Sequence, residues 1–200
     1  FQAFREFDEA LLELRVNEPG INVVSLRVLG EAATALAADA ILAANEDDWF
    51  VSEVRHYLKR VLKRLDMTAK TLFALADGGT AFAGTFLEMA LAADRVYVLD
   101  EPDTPVELGV SVLNGGAYPM GNGLTRLETR FLGEPEMPSR VLERLGPVPA
   151  ADAEELGLAT AALDEIDWAA EIRVYIEERA SYSPDALTGM EANLRYAGPE

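Results

Sequence analysis

The chain contains no cysteine and one histidine, His56. Without cysteine there are no disulfides, no thiolate nucleophile and no cysteine-based metal site. A single histidine argues against a histidine-rich metal centre and against a Ser-His-Asp triad, so no metal is expected. Cations are scarce as well: 17 Lys and Arg stand against 35 Asp and Glu, a formal charge of −18. That field repels nucleic acid and anionic membrane, both of which reward clustered Lys and Arg, so neither is expected as a partner. No apolar run reaches the roughly 18 residues that span a bilayer, and no charged-then-apolar leader opens the chain. A cytoplasmic protein is expected on these grounds.

What is abundant is apolar: 50% of 200 residues, enough to bury one substantial core. Phe4, Phe7, Leu11 and Leu14 recur at helical spacing, which predicts a helix over 2–16 ended by "NEPG". "INVVSLRVL" (21–29) is rich in β-branched residues between Gly20 and Gly30 and predicts a buried strand. The alanine-rich stretch 31–45 predicts a helix that packs closely or lines a cavity. From Asp47 and Asp48 onward, a stripe through Phe50, Val54, Leu58, Val61 and Leu65 predicts an amphipathic helix. His56 lies beside that stripe and reads as a surface histidine. "TLFALA" (71–76) and "RVYVL" (95–99) read as strands flanking a helix over 84–93, and a glycine-containing loop then leads to the helix "LTRLETRFLG". Helical segments near 138–145, 150–156, 167–180 and 184–196 complete the pattern, the last with Ser183 as N-cap and Pro184 at its first position. The order predicts an α/β fold: a short-stranded sheet, flanking helices and a helical C-terminal part.

One stretch looks built for chemistry. In "DGGTAFAGTFLEMALAADRVYVLD" (77–100) a glycine-rich turn feeds an apolar helix that carries one acid, Glu88. The first amides of such a helix lack intrahelical partners and, with the dipole, stabilise a negative oxygen such as a thioester enolate. Gly84 and Thr85 are then the oxyanion and substrate-binding candidates, and Glu88 the catalytic acid/base, its pKa raised among Phe86, Leu87 and Met89. The second reading is structural. Thr85-Phe-Leu-Glu88 fits a capping box, in which Thr85 and Glu88 would satisfy each other's amides, and spacing alone favours it. Asp94, at the end of the helix, reads as an acid that positions the following strand.

These residues resemble the crotonase (enoyl-CoA hydratase/isomerase) superfamily. "GGTAFAGTFLEMALAADRVYVLD" resembles its glycine-rich turn followed by E-L-A-x-x-C-D, "PMGNGLTRLETRFLG" its P-G-x-G-G-T-Q-R-L segment, and "ADAEELGLATAAL" its A-x-x-A-x-x-x-G-L-V stretch. "DWFVSEVRHYLKRVLKRLD" and "SPDALTGMEANLRYAGPE" extend the likeness to a ring-opening branch of that superfamily, over nearly the whole chain. The resemblance implies a crotonase-like fold and a carbon–carbon lyase of aromatic-compound degradation, opening an oxygenated ring held as a CoA thioester with loss of formate. Coenzyme A would enter as part of the substrate, with no separate cofactor. It also implies a homo-oligomer in contact with an upstream crotonase module.

Phe1 opens the chain in mid-helix without a methionine, and "RYAGPE" ends it straight after a helical pattern. Residues 1–200 are accordingly expected to be a single crotonase-like module from a longer chain, with a core near 20–135 and a helical tail near 136–200. The sequence also departs from the superfamily. Where the superfamily places an oxyanion donor in an A-G-x-D turn, this chain has "LAAD" (36–39), with Ala37 in place of glycine. The superfamily's second acid falls on Val112, with Glu107 the nearest ionisable alternative. These departures favour the alternative that the module is catalytically silent and serves structure or oligomerisation. Arg55, Lys59 and Lys63 recur every four residues, and Lys59 and Lys63 are candidate contacts for coenzyme A phosphates, against the simpler reading of a solvated helix face.

Overall fold

Residues 1–195 are described by the structure, a computed structural model. The elements follow in the order α1 (Gln2–Val16), β1 (Val23–Leu26), α2 (Ala32–Ala44), α3 (Trp49–Asp66), β2 (Thr71–Ala76), a 3-10 turn (Gly84–Phe86) running into α4 (Leu87–Leu91), and β3 (Arg95–Asp100). Then come β4 (Glu107–Val110), a second 3-10 turn (Val112–Gly115), α5 (Arg126–Arg130), α6 (Met137–Leu142), β5 (Gly146–Pro149), α7 (Ala150–Glu155), β6 (Ala161–Asp164), α8 (Glu165–Ala180) and α9 (Pro184–Arg195). The helix expected over 184–196 therefore begins where it should, with Ser183 Oγ accepting from the Ala186 amide. Residue 196 lies outside the described residues.

The main sheet has the order β1-β2-β3-β6, every pair parallel. A sheet covered on both faces needs strands that are apolar on both sides, and every residue of β2 is buried. The two-residue period sorts the side chains. Leu72, Ala74, Ala76, Val96 and Val98 join the large core with α1, α3 and α4, whereas Phe73, Leu75 and Tyr97 join Ile172 of α8 on the other face. Asp94 locks the start of this arrangement: its amide donates to the Leu72 carbonyl (2.9 Å) and its carboxylate accepts from the Leu72 amide (2.7 Å). It positions β3 on β2, as the sequence suggests.

α3 begins on Asp48, whose carboxylate accepts from the Phe50 and Val51 amides. It ends where Arg15 of α1 donates to the Arg64 and Met67 carbonyls, a cation on the negative end of a helix. The helix read over 31–45 forms as α2, and 36–39 runs inside it. Two expectations change. The strand read over 21–29 shortens to Val23–Leu26, with Leu29 forming only an isolated bridge to Thr80. The stretch beyond residue 136 is not helical alone: β5 pairs antiparallel with β4, and β6 extends the main sheet beside β3, so no packing boundary falls near 135. Among the described residues, no helix is long and apolar enough to cross a membrane.

Candidate active site

The glycine-rich turn leaves the end of β2 at Ala76 and folds back against the segment after β1. Gly30 donates to the Gly79 carbonyl and Ala81 to the Val28 carbonyl, while Arg27 pairs with Asp77 at 2.9 Å. Gly84 then takes φ +55°, a left-handed conformation that suits glycine. A Cβ at this position would collide with the carboxylate of Asp39, which reaches in from α2.

Asp39 is buried and fully engaged. One of its oxygens accepts from Thr85 Oγ1 (2.6 Å), the other from Ser111 Oγ (2.6 Å). Burial pushes its pKa up; the bonds from Ser111 and Thr85, the Thr85 main-chain amide included, pull the other way. Thr85 has a single hydroxyl proton, given to Asp39, so the Tyr118 hydroxyl at 3.0 Å must be the donor of that pair. The phenol can fill this role because burial pushes its pKa up to about 12.

Glu88 stands a few residues further on and is 3% exposed. It makes no capping box: no side chain caps either the 3-10 turn or α4. One carboxylate oxygen accepts from Asn114 Nδ2 (2.7 Å), the other from Arg126 Nη1 (2.8 Å). Arg126 is itself buried, held by Asp66 through Nε (2.9 Å) and Nη2 (2.6 Å), with the Tyr118 carbonyl accepting from Nη1 (2.9 Å). Burial raises the Glu88 pKa, and the positive charge of Arg126 opposes the rise. Asn114 also donates to the Gly84 carbonyl (3.0 Å), so the Asp39 cluster and the Glu88 ion pair form one connected network.

The structure thus brings Gly84, Thr85 and Glu88 together, with Glu88 turned across to Arg126 and Asn114. Sequence reasoning missed Asp66, Ser111, Asn114, Tyr118 and Arg126. The available signal was a lone arginine in "LTRL", next to Leu127, which is buried in the core. Val112 is 56% exposed, and Glu107 lines a small cleft with Asp77, Gly78 and Thr80. Lys59 and Lys63 are part-exposed on α3 and make no ion pair among the described residues.

Beside this network runs a half-open apolar groove of about 470 Å³. Phe4, Leu29, Ala35, Ala38, Phe86 and Met89 line it, and the Phe4 and Phe86 rings stack at 5.4 Å. The alanines of α2 therefore do line a cavity. Their small side chains leave room for a ligand the size of an aromatic ring.

No protein-family model matches the chain. It is 48% identical, over 99% of its length, to benzoyl-CoA-dihydrodiol lyase of Aromatoleum evansii, and it spans 36% of that protein. Enoyl-CoA hydratase from Bacillus halodurans superposes with a TM-score of 0.65 at 17% identity, covering 97% of this chain and 76% of that one. An enoyl-CoA hydratase/isomerase from Marinobacter aquaeolei gives 0.67 at 18% identity, covering 100% and 75%. The fold is crotonase-like. In this crotonase-like module the groove lies between the segment after β1, the alanine face of α2 and the glycine-rich turn.

Proposed function

We propose that the chain is a module of a CoA-thioester lyase that acts as benzoyl-CoA-dihydrodiol lyase does, opening an oxygenated ring carried as a CoA thioester. The observation that carries this reading is 48% identity over 99% of the chain to part of that enzyme. The apolar groove supports it, since its stacked phenylalanines and small alanines suit a flat acyl group. Coenzyme A arrives with the substrate, and the reading calls for no separate cofactor. Lys59 and Lys63 meet its phosphates as cations on one helix face. The full enzyme works as an assembly in which this module contacts an upstream crotonase module and further copies.

Within that enzyme, a specific observation favours a holding role for this module over proton transfer. Both Glu88 oxygens are engaged by Asn114 and Arg126, and Asp39 already takes the Thr85 main-chain amide, the donor an oxyanion would need. Gly84, Thr85 and Glu88 then hold in place the turn and helix that carry Phe86 and Met89 to the groove, and the reacting acids come from outside this segment. Calorimetric titration of the chain with benzoyl-CoA tests the reading. Binding is expected in the wild type, weakened about tenfold or more in Ala38→Trp, whose indole fills the groove. Lys59→Glu/Lys63→Glu should weaken it too, with a shallower salt dependence than the wild type. A folded chain that ignores benzoyl-CoA, or an Ala38→Trp variant that binds as well as wild type, overturns the assignment.

A further inference from the structure

A second cavity, half-open and of about 430 Å³, lies between α5 and the start of β3. The Arg126–Glu88–Asn114 network links it to Gly84. Arg95, Arg126, Arg130 and Thr160 line it, together with the acids Asp66, Asp94 and Glu134. Asp66 is committed to Arg126, and the Asp94 carboxylate accepts from the Leu72 amide. Neither Arg95 nor Arg130 has a carboxylate within ion-pair distance among the described residues. Glu134 lines the exposed side of the cavity without pairing to either arginine among the described residues, and in a chain whose acids outnumber its bases 35 to 17, two neighbouring arginines with no ion-paired acid are unusual.

Arg130 is also held in place. Its Nε donates to the Gly157 carbonyl at 2.6 Å, which fixes the guanidinium plane and leaves the terminal nitrogens without a hydrogen-bond partner among the described residues. Burial and the repulsion of Arg95 depress its pKa to about 10, as expected for a buried cation close to a like charge. On the neighbouring flank Arg179 stacks between the Phe73 and Tyr182 rings, again without an ion pair among the described residues, beside Arg95 and Glu178.

We propose that this cavity is a binding site for a phosphoryl group, gripped between Arg95 and Arg130. Guanidinium groups present paired N–H donors that match oxyanions in geometry as well as charge. Two of them call for a dianion, which a phosphate supplies and a single carboxylate does not. Thr160 Oγ1 accepts from the Val96 amide at 3.0 Å, so its own proton remains for a phosphate oxygen. The ligand is either free phosphate or the phosphate of a monoester. The site is independent of the groove and stands whether or not the chain binds benzoyl-CoA.

The test is calorimetry on the whole chain at constant ionic strength, with inorganic phosphate, glycerol 3-phosphate and acetate as separate probes. Wild type should bind one equivalent of phosphate, with acetate much weaker. Tighter binding of glycerol 3-phosphate supports a monoester ligand; tighter binding of inorganic phosphate supports the free ion. Arg95 is exposed, so Arg95→Gln should fold normally and lose about tenfold in phosphate affinity. Arg130→Lys keeps the charge but not the paired donors, and should fall between the two. Absence of saturable phosphate binding by the wild type overturns the proposal. So does equal binding of acetate, or an Arg95→Gln variant that binds phosphate as tightly as wild type.

Discussion

Arg126 is a single positive charge shared by two buried carboxylates, and the two ways of disturbing it should differ sharply. Removing the cation strands Asp66 and Glu88 together, whereas neutralising Glu88 leaves Arg126 in its two-point contact with Asp66. Breaking a buried ion pair from one side typically costs about 3–5 kcal/mol. Arg126→Met should approach that loss in urea unfolding, and Glu88→Gln should lose clearly less. Equal losses would mean that Glu88, not Asp66, is the main partner of Arg126. Asp39 gives a different signature because its folded pKa lies above the unfolded value. A carboxylate raised in this way adds stability below its unfolded pKa and loses it as pH climbs through the folded pKa. The stability advantage of wild type over Asp39→Asn should therefore be greatest in acid, below the ordinary carboxylate range, and shrink as pH rises. Unfolding curves at several pH values check the sign, and an advantage that grows with pH would refute it. The sequence marked Glu88 as special without revealing its partners. Asn114 lies 26 residues away and Arg126 lies 38 away, beyond the reach of any local spacing rule.

At the scale of elements, what could be read in advance is what local physics dictates. α1 and α3 announce themselves through an apolar stripe and, for α3, through a cap. Asp48→Ala should cost about 1 kcal/mol in chemical unfolding, because it leaves the Phe50 and Val51 amides without their acceptor. A cost near zero would show that water replaces the cap. β2 was equally legible, as an unbroken apolar run that only a doubly covered strand needs. β5 and β6 were not. β5 is "GPVP", and its two prolines lack amide donors, which disfavours a strand unless it lies at an edge with a partner on one side, as here with β4. β6 is "AALD", whose alanines read locally as helix and become a strand only because β3 offers a paired edge. The departure from the superfamily's A-G-x-D turn was legible too: Leu36-Ala-Ala-Asp39 sits among alanines that favour unbroken helix, and α2 continues through it.

For the whole molecule the charge of −18 matters most. Self-repulsion of that size opposes compaction and is screened by salt. Raising sodium chloride from about 0.05 to 0.5 M should raise the unfolding midpoint by several degrees, with potassium chloride equivalent. A midpoint indifferent to salt would mean that local ion pairs already cancel the repulsion. The order of the main sheet has a further consequence, in time rather than energy. β3 is flanked by β2, which precedes it, and by β6, whose first residue lies 61 positions beyond Asp100. A chain emerging from the ribosome therefore shows a bare, apolar strand edge until residues 161–164 are free to reach it. Sheets closed by such distant pairing fold slowly and are open to wrong partners meanwhile. A nascent chain stalled before Ala161 should thus be the species that chaperones bind and that aggregates, and release of a few more residues should end that exposure.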